Sequence, residues 1–219
     1  MTGDLFDAID DGPPSLETIA DGAVLLRRLA LAAGPALLAD LQPVLAASPW
    51  RHLVTPGGQR MSVAMTNCGE LGWVSDRRGY RYDPVDPLGG TAWPDMPASF
   101  RELARHAAAS AGFDGFAPDA CLVNFYQPGA RLSLHQDRDE HDLRAPIVSV
   151  SLGLPAVFLF GGLERQAPVK RMRLVHGDVA VWGGASRLAY HGVAPLADGE
   201  HAATGRCRIN LTFRKAGAA

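Results

Sequence analysis

The chain of 219 residues is 47% hydrophobic and 20% charged, with a formal net charge of −2. Those proportions exclude a disordered or fibrous chain and a protein that coats nucleic acid by bulk positive charge; the length suits one domain, with at most an appended subdomain. Cys68, Cys121 and Cys207 lie far apart with no C-x-x-C spacing, which argues against a disulfide framework or a zinc site and suits a reducing cytoplasm.

The acidic N-terminus has no signal-peptide apolar run, and residues 1–20 read as a tail ahead of one domain over 21–219. Ala23–Leu29 reads as a short strand. The apolar stretch Leu25–Leu41 is broken by Arg27, Arg28, Gly34, Pro35 and Asp40, so no membrane span is expected. Pro35–Ala47 has helical spacing, with Leu37, Leu38, Leu41 and Leu45 on one side and Pro35 in the first turn. Residues 50–97 are rich in Gly, Pro and Asp, yet hold three of the four tryptophans, Tyr80 and Tyr82. That mixture predicts a binding lid of loops. Pro97–Ala111 reads as a second helix ended by Gly112.

From Asp119 onward, short apolar runs alternate with turn signals. Strands are expected at Ala120–Tyr126, Leu132–Asp137, Ile147–Leu152, Ala156–Phe160, Arg171–Val175, Val179–Trp182, Tyr190–Val193 and Arg206–Arg214. Eight strands at this spacing predict an α+β chain: a jelly-roll (double-stranded β-helix) core with N-terminal helices and the lid. The basic clusters Arg77, Arg78, Arg81 and Lys170, Arg171, Arg173 read most simply as solvated surface.

Residues two apart in a strand share a face. In Arg131-Leu-Ser-Leu-His-Gln-Asp137, His135 and Asp137 would point one way and Leu132 and Leu134 the other. A His and a carboxylate side by side, with a second His from elsewhere, form the facial triad of non-haem Fe(II) oxygenases. Seven His and seventeen Asp make roughly one chance His-x-Asp per two such chains, and a second, His176-Gly-Asp178, is present. Its Gly-Asp is a turn signal, which favours the first pair. His191, one strand before Arg208, is the leading third ligand; His52, His106, His141, His176 and His201 are the alternatives.

The last strand alternates cleanly. Cys207, Ile209, Leu211 and Phe213 form one face, and Arg208, Asn210, Thr212 and Arg214 the other. This suits either an edge strand with a wet face or a wall binding a dianion. The two arginines are about 20 Å apart at ~3.3 Å per residue. Leaning together, they would leave a gap of about 6–8 Å, the length of a five-carbon keto-diacid held at both ends.

Taken together, His135-x-Asp137, His191 and Arg208-x-Asn210-x-Thr212-x-Arg214 resemble the AlkB family of Fe(II)- and 2-oxoglutarate-dependent nucleic-acid demethylases. The resemblance extends to Leu53–Gly58, Met61–Gly69, Leu71–Trp73, Pro118–Leu122, Leu132–Glu140, Ala145–Pro155 and Gly177–Gly184, nearly the whole chain after about residue 20. It implies Fe(II) held by His135, Asp137 and His191, and O2 as oxidant. It implies 2-oxoglutarate bound by Asn124, Tyr126, Arg208, Asn210 and Arg214. It implies a substrate side formed by Thr55, Met65, Trp73, Tyr80, Asp139, Glu140 and Arg165, with Trp73 and His135 sandwiching an extruded base and the acids favouring cationic 1-methyladenine and 3-methylcytosine. The implied substrate is single-stranded or duplex DNA carrying alkylated bases, with RNA a second class, and the implied enzyme is a cytoplasmic monomer. Gln59 and Glu164 depart from the family pattern on the nucleic-acid side. Two rival readings are a protein or small-molecule hydroxylase and a non-enzymatic metal-binding jelly roll.

Overall fold

A computed structural model of the protein describes residues 12–218. In chain order the elements are β1 (Ser15–Ala20), β2 (Ala23–Arg27), α1 (Gly34–Ala47), β3 (Ala64–Gly69), β4 (Gly72–Asp76), β5 (Gly79–Asp83), α2 (Ala98–Ser110) and β6 (Ala120–Tyr126). There follow β7 (Leu132–His135), β8 (Ile147–Gly153), β9 (Ala156–Phe160), β10 (Lys170–Leu174), β11 (Val179–Trp182), β12 (His191–Val193) and β13 (Arg208–Arg214).

The strands form a seven-stranded sheet in the order β1-β2-β11-β8-β13-β6-β3, a four-stranded sheet in the order β10-β9-β12-β7, and a separate β4-β5 hairpin. The two larger sheets enclose the site, and both helices pack outside the seven-stranded one. Leu37, Leu41 and Val44 of α1 and Phe100, Ala104 and Ala107 of α2 share a buried cluster with Val148, Val150, Leu211 and Phe213. The spacing that predicts a helix is thus the spacing that covers a sheet. α2 ends where expected, with Gly112 at φ +84° just beyond it, a conformation glycine adopts without steric cost.

The alternation of β13 is realised as read. Ile209, Leu211 and Phe213 pack toward the helices, while Arg208, Asn210, Thr212 and Arg214 line the cavity between the sheets. The strand is central, not an edge, pairing with β6 on one side and β8 on the other. Its polar face is therefore walled off rather than wet.

Three expectations need correction. Residues 15–20, read as tail, form β1 against β2; Leu16 and its neighbours are exposed, so this edge strand lacks the apolar signal of a buried one. The earlier part of the tail lies outside the described residues. Within 50–97, Ala64–Gly69 is not lid: it is β3, paired residue for residue with β6. Its Thr66 and Asn67 are buried because Thr66 bonds Ser48 and Asn67 bonds Trp73, so polar residues here do not mark a loop. Finally, β7 stops at His135, so Asp137 lies past the strand and its orientation is not set by strand alternation.

Candidate active site

β7 and β12 run antiparallel with His135 opposite His191, so the ladder itself brings the two rings together, 4.4 Å between centroids. The approach is close at the next residue. A Cβ on Gly192 would lie 2.6 Å from the Leu132 carbonyl oxygen, so no larger residue fits there without backbone movement. His135 Nδ1 donates to Ser133 O at 2.9 Å and His191 Nδ1 donates to Ala189 O at 3.0 Å. With those protons placed on Nδ1, each Nε2 presents a lone pair. Asp137 Oδ1 is 3.5 Å from His135 Nε2 and its Oδ2 is 3.7 Å from His191 Nε2. One ligand atom from each of the three lies within 4.8 Å of the others. Two neutral imidazoles and one carboxylate on one side of a cavity are the donor set of a non-haem Fe(II) site.

Electrostatics keep the carboxylate ionised. Burial works to raise the Asp137 pKa, but Arg214, then the two histidines, hold it well below the usual carboxylate range. Burial, then the charge of His135, pushes His191 down to about 4, which keeps it a neutral ligand. Burial also works against protonation of His135, but the Asp137 hydrogen bond and charge outweigh it and raise its pKa.

Strand register also builds the deep end. Tyr126 sits opposite Arg208 and Asn124 opposite Asn210 across β6 and β13. Asn210 Nδ2 donates to Ser149 Oγ at 2.8 Å and to Val150 O at 2.9 Å, and its Oδ1 accepts from Asn124 and Thr212. Arg208 is 1% exposed, lies 5.0 Å from the Tyr126 ring centroid, and donates to Ser151 Oγ through Nη2. Among the described residues its Nε and Nη1, and Asn124 Oδ1, are buried without hydrogen-bond partners. A buried guanidinium with two unused donors is costly unless an anion completes it, so the deep end fits a ligand carboxylate.

The symmetrical clamp expected from the arginine spacing is not what forms. Arg214 holds Asp137 Oδ2 through Nη2 at 2.5 Å and Nε at 2.9 Å, and its Nε lies 3.3 Å from Glu140 Oε1. It is committed to the metal-site carboxylate, and Arg208 alone has donors to spare. The reason is the position of Asp137 beyond β7, in reach of the far end of β13.

A cavity of about 610 Å³ runs outward from the triad, with Leu122, Phe158 and Trp182 in its walls. All the anticipated lid and substrate residues except one line it: Thr55, Met65, Trp73, Tyr80, Asp139 and Arg165. Trp73 and Tyr80 stack with centroids 5.5 Å apart and planes 13° apart, and Trp73 Nε1 donates to Asp139 Oδ2 at 2.9 Å. Glu140 is the exception. It lies outside the lining and is 7% exposed, because Arg187, Arg214 and the Tyr82 hydroxyl occupy its carboxylate. It is a buried partner of the metal-site loop, not a substrate contact.

Sequence reading passed over Ser149 and Ser151, although polar residues at every second position of an apolar run were a legible sign of a lined face. It also passed over Arg60, Arg131 and Arg138 at the cavity. None of these three makes an ion pair among the described residues. Arg187, 4% exposed, had no sequence signal at all.

Comparison with known proteins agrees with this geometry. The family model of the 2OG-Fe(II) oxygenase superfamily matches residues 22–214. The chain is 59% identical to the alpha-ketoglutarate-dependent dioxygenase AlkB of Escherichia coli K12 over 97% of this chain and 99% of that one. It is 34% identical to the DNA N(6)-methyladenine demethylase ALKBH1C of Arabidopsis thaliana over 66% of this chain and 38% of that one. The solved structure of OsALKBH1 superposes with a TM-score of 0.82 at 28% identity, covering 92% of this chain and all of that one. Triad, deep anion end and sequence likeness converge: the chain belongs to the AlkB family of Fe(II)- and 2-oxoglutarate-dependent dioxygenases.

Proposed function

We propose that the protein oxidatively demethylates alkylated bases, 1-methyladenine and 3-methylcytosine, in DNA and with RNA as a second class, giving the repaired base, formaldehyde, succinate and CO2. The observation that carries this reading is the cavity that joins the triad to a stacked aromatic pair at its outer end. A base must leave its stack to reach a buried metal, and an aromatic platform is worth about 1–3 kcal/mol per base. Trp73 supplies that platform. Asp139, held by the Trp73 indole, places negative charge beside the platform and favours a cationic methylated base over a neutral one. Arg60, Arg131, Arg138 and Arg165 line the same cavity, the first three without an ion pair among the described residues; guanidiniums so placed suit phosphates, even on a chain with net charge −2.

His135, Asp137 and His191 would hold Fe(II), which with 2-oxoglutarate and O2 supplies the oxidation of the methyl group. Arg208 binds the far carboxylate of 2-oxoglutarate, completing its guanidinium, while Asn124, Tyr126 and Asn210 shape that end. Arg214 orients Asp137. Met65 and Trp182 shield the space between from water. Hydroxylation of the N-methyl group leaves a hydroxymethyl that departs as formaldehyde. We extend the reading to a monomer in the cytoplasm, where Cys68, Cys121 and Cys207, all free and buried, stay reduced. Among the described residues no helix is long and apolar enough to cross a membrane.

The test is turnover of a 1-methyladenine or 3-methylcytosine oligonucleotide by iron-loaded protein. Formaldehyde and succinate in equal amounts, dependent on 2-oxoglutarate, are expected. No turnover of either base would sink the proposal.

A further inference from the structure

The β4-β5 hairpin grips the metal-site loop at two successive residues. Trp73 on β4 donates to Asp139 at 2.9 Å. Tyr82, directly opposite Trp73 on β5, donates its hydroxyl to Glu140 Oε1 at 2.8 Å. Asp139 faces the cavity and Glu140 does not. The Glu140 carboxylate instead meets Arg187 Nη2 at 3.0 Å and Arg214 Nε at 3.3 Å. Both guanidiniums continue to the same metal-site residue. Arg214 holds the Asp137 carboxylate, and Arg187 Nη1 donates to the Asp137 main-chain oxygen at 2.7 Å. Glu140 is therefore joined to Asp137 through side chain and backbone at once.

This cluster contains two carboxylates and two guanidiniums, each side chain 10% exposed or less. Buried charges of this kind tolerate only arrangements in which every partner is kept. A shift of Glu140 therefore cannot be absorbed locally; it passes to Arg187 and Arg214. Among the described residues the hydrogen bond that links the cluster to the hairpin's second strand is that of the Tyr82 hydroxyl, and Tyr82 is outside the cavity lining.

We propose that Glu140 is a positioning residue that ties the β4-β5 hairpin to Asp137, with the Tyr82 hydroxyl as its point of attachment, so that a base seated on Trp73 alters the coordination geometry of the metal. The proposal rests on the nucleic-acid reading above. It assigns Glu140, outside the substrate wall, a part in timing the oxidation to an occupied pocket.

The test uses the full chain loaded with Co(II) in place of iron, with 2-oxoglutarate present. The visible bands of Co(II) report coordination geometry, and fluorescence anisotropy of a labelled 3-methylcytosine oligonucleotide reports binding separately. In the wild type, oligonucleotide binding changes the Co(II) spectrum. Tyr82→Phe still binds the oligonucleotide, but the spectral change shrinks. With the iron enzyme, succinate formed per formaldehyde rises by about 2-fold or more, the size of a modest coupling. Glu140→Gln, which keeps shape but not charge, behaves likewise. An equal spectral response in Tyr82→Phe and wild type overturns the proposal, as does an unchanged succinate-to-formaldehyde ratio. Failure of the wild type to bind the oligonucleotide overturns the nucleic-acid reading itself, and the coupling with it.

Discussion

His135-Gln-Asp137 and His176-Gly-Asp178 share the same spacing, yet one forms a candidate metal site and the other is mortar. In the first, each imidazole Nε2 and the carboxylate oxygens converge within 4.8 Å on one side of a cavity. In the second, the ring Nδ1 and both carboxylate oxygens are spent within the protein. His176 Nδ1 accepts from the Gly153 amide at 3.0 Å, and Asp178, fully buried, accepts from the Arg28 and Val175 amides and from Arg27 Nη1 at 2.7 Å. Protonation follows the same divide. The carboxylate beside His135 raises its pKa, whereas burial and His201 lower that of His176, whose own Asp faces elsewhere. A pair of ligand-type residues becomes a site only where tertiary structure leaves its lone pairs unspent.

The sharpest way to break this contrast is to exchange the fates. Asp137→Ala removes a metal ligand, and turnover measured as formaldehyde falls by more than about 100-fold, beyond the loss typical of an outer partner. Asp178→Ala leaves turnover per folded molecule unchanged but costs about 3 kcal/mol of stability in a denaturant titration, since it strands two amides and a guanidinium. Equal loss of activity in both variants would erase the distinction. At the deep end of the metal site, Arg208→Met raises the KM for 2-oxoglutarate by roughly 10–150-fold, the equivalent of about 1.5–3 kcal/mol for a charged hydrogen-bonded pair. At its outer end, Trp73→Ala weakens binding of a methylated oligonucleotide by roughly 5–150-fold, from about 1–3 kcal/mol of stacking, measured by anisotropy. The smallest effect belongs to the structural pair. A His whose folded pKa is depressed binds protons more readily when unfolded, so stability is full above its ordinary 6.5 and declines as pH falls below it. His176→Gln, which keeps an acceptor for Gly153, flattens that acid limb in a thermal-melt series.

Much of this was legible beforehand because period-two alternation reports which face a strand buries. β13 is the clearest case, and its polar face was placed correctly before any packing was known. His135 was legible for the same reason, whereas His191 was favoured among six histidines only by its place one strand before Arg208. Residues 15–20 were not, because an edge strand exposed from Ser15 to Thr18 buries only Ile19 fully and so shows no alternation. Nor was β3, where Thr66 and Asn67 are polar but satisfied inside the fold. Glu140 was misread as a substrate contact because a charged loop residue and a buried ion-pair partner look alike until Arg187, 47 residues away in sequence, is seen against it.

Strand faces, the helix that stops short of Gly112, the donor types for a metal and the arginine row for an anion follow from local periodicity and side-chain chemistry alone. Packing sets the rest: His191 lies opposite His135, Asp137 turns inward past the end of its strand, and Arg214 serves Asp137 while Arg208 keeps free donors among the described residues. Those outcomes depend on ladder register and on competition among buried charges for the same partners, and neither is encoded within any one segment.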